Sequence, residues 1–79
     1  MTNTELLLRL IKENGLKLSF IAQKLGISRT ALYRKIKGLV PFTGPEINIL
    51  CKLLDLKTWA RIKPVFFADN VSKNDYSAS

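Results

Sequence analysis

Apolar residues recur along the first half of the chain at helical spacing, in short runs that glycine keeps interrupting. Leu7, Leu10 and Ile11 fall on one face while Arg9, Lys12 and Glu13 turn outward, which predicts a helix near residues 4–14. Thr2 stands three residues before Glu5, the spacing of a capping box just ahead of the apolar run. Asn14-Gly15 ends that pattern. A second face of Ile21, Ala22 and Leu25 predicts a helix over about 18–25. Its start lacks a good cap, since Lys17 and Leu18 precede it and only Ser19 offers a hydroxyl. Gly26 stops it. Ser28 then caps a third helix near 29–37, with Leu32 and Ile36 four apart on the inner side and Gly38 at the end.

Beyond Gly38 the pattern loosens. Leu39-Val40-Pro41-Phe42 reads as an extended segment whose apolar residues fold back over the core. Thr43-Gly44-Pro45-Glu46 is a second capping box with proline in the first turn, where its missing N–H does no harm. Ile47, Leu50, Cys51 and Leu54 then line the inner face of a fourth helix, with Cys51 as a small core residue. Lys57 to Lys63 make one or two helical turns before Pro64, and Val65-Phe66-Phe67 is too apolar to be left wholly in water. From Ala68 the residues are polar and unpatterned, as in a disordered tail. The expectation is an all-α compact bundle of four to five short helices over residues 1–67, followed by a disordered polar tail over 68–79.

Charge sharpens the picture. The 79-residue chain carries a formal net charge of +7. No Asp or Glu occurs between Glu13 and Glu46, a window that holds Lys17, Lys24, Arg29, Arg34, Lys35 and Lys37. A surface of that kind attracts polyanions. Other chemistries are poorly supplied. One cysteine cannot form an internal disulfide, and a chain without histidine lacks the usual zinc ligand sets. The carboxylates are scattered rather than paired, so no catalytic residue, metal or cofactor is expected. No segment approaches the roughly 20 apolar residues that span a bilayer, and the N-terminus does not have the form of a secretory signal. The expected location is the cytoplasm.

The most informative stretch runs from Ala22 to Gly38. Gly26 permits the positive φ that ends one helix while turning the chain sharply into the next. Ala22 sits where the second and third helices cross, and Ile27 points inward within the turn. The outer face of the third helix then carries Arg29, Tyr33 and Lys37 in one row and Thr30 and Arg34 in the adjacent one. A helix about 10–12 Å across fits the major groove of B-DNA.

In Ala22, Leu25, Gly26, Ile27, Ser28 and Leu32, preceded by Gly15-Leu16 and followed by Gly38, the chain resembles the helix-turn-helix family of phage Cro proteins and repressors. The resemblance extends from about Leu6 to Leu56 and implies a lambda-repressor-like fold. The ending Phe66-Phe67-Ala68-Asp69 also looks like small prophage-encoded regulators of Gram-positive bacteria. By position, the resemblance implies that Ser28, Arg29, Thr30 and Arg34 face base edges with Tyr33 beside them. Lys17, Lys35 and Lys37 become phosphate contacts, with Lys24 a lesser one. Two departures stand out: Lys17-Leu18 replaces the Thr-Gln pair that starts helix two in many members, and Lys35 occupies an often apolar position. The implied function is sequence-specific transcription regulation as a Cro-like repressor bound to a double-stranded DNA operator. Two half-sites call for a homodimer, with Val65, Phe66 and Phe67 either as the candidate seam or folded back on their own domain. The alternative is a protein-interaction module, antirepressor or antitoxin-like, that keeps the fold; salt dependence of binding to random duplex DNA separates the two.

Overall fold

Side-chain caps open three of the five helices, and local turn chemistry sets most of the remaining boundaries. The computed structural model describes residues 1–68, so the expected polar tail lies outside the described residues from residue 69 onward. Five helices follow in order: α1 (Thr4–Glu13), α2 (Leu18–Leu25), α3 (Arg29–Ile36), α4 (Gly44–Leu53) and α5 (Trp59–Phe66), with no strand among the described residues. The α1 cap differs from the Thr2 box: Asn3 is the N-cap, and its Oδ1 accepts the Leu6 N–H at 3.1 Å. The Asn3 N–H is itself tied to the Val65 carbonyl at 2.7 Å, which places Asn3 rather than Thr2 at the entry to the helix. Helix α2 starts at Leu18 with no side-chain cap, as its sequence suggested. At α3 and α4 the expected caps are present. The Ala31 N–H donates to Ser28 Oγ at 3.0 Å, and Thr43 and Glu46 form a full capping box.

Gly26 adopts φ +71° and ψ +30°. From there the Ile27 N–H reaches the Ala22 carbonyl at 3.0 Å and the Gly26 N–H reaches that of Gln23 at 3.1 Å, closing the last turn of α2. Two residues later Ser28 opens α3. The two helices pack directly across this joint, with Ala22 only 2% exposed between them. Leu7, Ile21, Leu32, Ile36, Leu50 and Val65 are the largest side chains fully removed from water, so the core draws on all five helices.

Three expectations for the second half change. Only Phe42 of the extended segment folds back; Leu39 and Val40 are exposed. Pro64 does not end a helix but lies inside α5. Its ring removes the N–H that would have paired with the Ala60 carbonyl, but Ala60 and Pro64 are both exposed, which leaves the break on the solvent side of the helix. A mid-helix proline costs about 3 kcal/mol, while burying Val65 and Phe66 contributes roughly 1.5–3 kcal/mol each. Burial prevails, and the helix runs on. The proposed dimer seam is corrected by the same packing. Val65 and Phe66 are buried in this chain's own core, where the Phe66 ring meets Phe42 edge-on at 5.7 Å. Phe67 alone of the three stays exposed, beside Trp59 at 5.3 Å between ring centres. Cys51 is a buried core residue as expected, and burial pushes its thiol pKa up. The Ala68 N–H also donates to the Met1 carbonyl at 2.8 Å, so residues 1 and 68 lie side by side.

Candidate nucleic-acid interface

The outer face of α3 is built by subtraction. Leu32 and Ile36 are committed to the core, which leaves Arg29, Thr30, Tyr33, Arg34 and Lys37 exposed on the other side. Lys37 Nζ lies 5.6 Å from the centre of the Tyr33 ring, a cation–π contact that steadies both side chains one turn apart. Ser28 is exposed at the head of the helix. Its oxygen is occupied as a cap, but the hydroxyl proton remains free to donate. The five residues expected at base edges therefore share one exposed helix face and its N-terminal end.

The expected phosphate residues divide. Lys17, Lys24 and Lys37 are exposed. Lys17 precedes the uncapped first turn of α2, where free N–H groups and the helix dipole favour an anion. Lys24 reaches over the Phe20 ring at 5.4 Å. Lys35 is placed differently: its ammonium donates to both oxygens of Glu46, at 2.6 and 2.8 Å, and neither side chain is more than about an eighth exposed. Turned inward and neutralised, Lys35 leaves the phosphate set.

That ion pair escaped the sequence, as did a second link at the same end of α3. Thr4 Oγ1, on the first residue of α1, donates to the Ile36 carbonyl at 2.6 Å. Glu46 meanwhile accepts the Thr43 N–H at 2.9 Å in its capping role. Burial pushes the Glu46 carboxyl up, but the Lys35 ammonium and the Thr43 hydrogen bonds outweigh it and hold its pKa below the ordinary glutamate value. The C-terminal end of α3 is thus pinned from both α1 and α4, while its N-terminal end is set by the Gly26 turn. A helix fixed at both ends presents its outer side chains as one rigid array.

Between that array and the start of α2 lies an open cleft of about 430 Å³, lined by Leu18, Arg29, Thr30 and Tyr33. Among the described residues no group of three or more His, Cys, Asp or Glu side chains is placed to hold a metal ion, and no helix is long and apolar enough to cross a membrane. Nothing among curated proteins or solved structures matches the chain. A family model described as an HTH domain matches residues 3–44. That span opens on Asn3, the cap of α1, and ends on Gly44, the first residue of α4, so it takes in the whole α1–α3 unit. With more than half of its length inside that match, and with the turn, caps and exposed third helix in place, the chain belongs to the helix-turn-helix domain family of DNA-binding regulators.

Proposed function

We propose that this protein is a sequence-specific double-stranded DNA-binding repressor of the Cro type, from a phage or prophage, acting in the cytoplasm by occupying an operator. The observation that carries the reading is the α3 face, where Arg29, Thr30, Tyr33, Arg34 and Lys37 stand exposed within a window free of acidic residues. With α3 in the major groove, Arg29 and Arg34 offer planar forks to guanine while Ser28, Thr30 and Tyr33 flank them. Lys17 with the uncapped end of α2, Lys37, and Lys24 more distantly, hold phosphates on either side. A single short helix reads too few base pairs for an operator, which supports two copies on paired half-sites. The seam then moves to the exposed Trp59–Phe67 pair, at the edge of a cleft of about 590 Å³ whose walls include Ile47 and Ile62. The same exposed pair is what a protein-interaction module would use, so DNA binding decides between the readings.

The test is a set of binding isotherms on a site selected from a random DNA pool and on scrambled duplexes, at several salt concentrations. Arg34→Ala is expected to lose about 1–3 kcal/mol on the selected site and to relax preference at one or two positions. Lys17→Ala and Lys37→Ala are expected to weaken all duplexes alike and to flatten the salt slope by about one unit per lost phosphate contact. Weak, salt-insensitive binding to every duplex would favour the interaction module.

A further inference from the structure

The cleft between α2 and α3 has an apolar wall that no hydrogen-bonding role explains. Leu18 opens α2, packs partly against the core and turns the rest of its side chain toward Arg29, Thr30 and Tyr33. Tyr33 adds a ring that is 55% exposed, and Lys37 lies 5.6 Å from its centre. Hydrocarbon held at the edge of an otherwise cationic face gains nothing from phosphates. Of the groups that B-DNA displays in its major groove, only the C5-methyl of thymine is apolar.

We propose that Leu18, Thr30 and Tyr33 form a receptor for a thymine methyl group, at a base pair neighbouring the one that Arg29 contacts. The inference rests on α3 lying in the major groove. It adds a specificity-determining residue, Leu18, that belongs to α2 rather than to the reading helix. Arg29 lines the same cleft, so the methyl-reading position falls within one or two base pairs of the position read by its guanidinium. Sequence preference at this step therefore comes from an excluded-water contact on one side and a charged fork on the other.

The experiment starts from the site selected from a random pool and replaces each thymine singly by uracil, which removes the methyl and nothing else. In the wild-type protein one thymine per half-site is expected to lose about four-fold in affinity on replacement, the value of one buried methyl. Replacing a cytosine placed at that position by 5-methylcytosine is expected to recover a gain of the same size. Leu18→Gln is expected to bring the thymine-to-uracil ratio to about one. Thr30→Ser, an exposed change that removes only a methyl, is expected to reduce it. Each ratio is taken within one protein, so a partial loss of folded material cancels. The methyl-sensitive position must lie within one or two base pairs of the position relaxed by Arg29→Ala. A selected site indifferent to every uracil replacement, or a ratio unchanged in Leu18→Gln and Thr30→Ser, overturns the methyl receptor and leaves the repressor reading standing. A pool that returns no site overturns both.

Discussion

At Glu46 one carboxylate accepts the Thr43 N–H that starts α4 and both hydrogen bonds from Lys35 near the end of α3. Truncating it removes the partner of a part-buried ammonium and one half of the capping box, so Glu46→Ala is expected to lose about 1–3 kcal/mol of stability in denaturant melts. The pKa of this group is lowered in the folded chain, so on acidification the unfolded chain takes up the proton first. The stabilisation is therefore complete above the ordinary glutamate value and disappears as pH falls through the lower folded value. Melts across that acid range are expected to show a component in the wild type that is missing from Glu46→Gln. Gly26 is a different kind of constraint. A Cβ built there meets nothing within 4 Å, so the penalty lies wholly in its φ of +71°. Gly26→Val is expected to destabilise by about 1–3 kcal/mol, and Gly26→Asn by clearly less, read as shifts in thermal midpoint. The glycine was legible because its requirement is local. The Lys35–Glu46 pair was not, because capping already accounted for Glu46 and the partner stands 11 residues away on another helix.

Among the elements, α1 to α4 could be read from apolar spacing and capping chemistry, which act within one or two turns. Helix α5 could not. Its proline looks like a stop, and only the burial of Val65 and Phe66 against other helices explains why the turn continues. The same two residues show why the sequence left seam and self-packing both open: apolarity states that a side chain leaves water, not which surface receives it. Pro64→Ala restores a hydrogen bond to the Ala60 carbonyl at the expense of a more flexible unfolded chain. The balance is expected to raise stability by about 1–2 kcal/mol, seen as a higher melting temperature without a change in helix packing. The exposure of the α3 face was legible residue by residue, while Lys35, expected at a phosphate, turned out to be paired inward. The cleft was not, because Leu18 and Tyr33 lie on different helices and their meeting depends on the crossing at Ala22.

For the whole molecule, the exposed aromatic pair is the feature that bears on assembly. Sedimentation of the wild type on a palindromic selected duplex is expected to give two copies per duplex. A Trp59→Ser, Phe67→Ser variant is expected to bind as single copies with its fold intact, since neither ring is part of the buried core. Two wild-type copies that persist in the variant would place the seam elsewhere. One last feature concerns the chain as a closed path. The Asn3 N–H meets the Val65 carbonyl and the Ala68 N–H meets that of Met1, at 2.7 and 2.8 Å, so the first and last described residues lie side by side. Meanwhile the exposed Leu39–Val40 segment lies between two helices already clamped together by Lys35 and Glu46. The fold is in effect a ring, and where the ring is cut matters little to its core. A circular permutant, joined across residues 68 and 1 and opened between Leu39 and Val40, would keep every helix and every clamp while delivering its new ends next to the C-terminal end of α3.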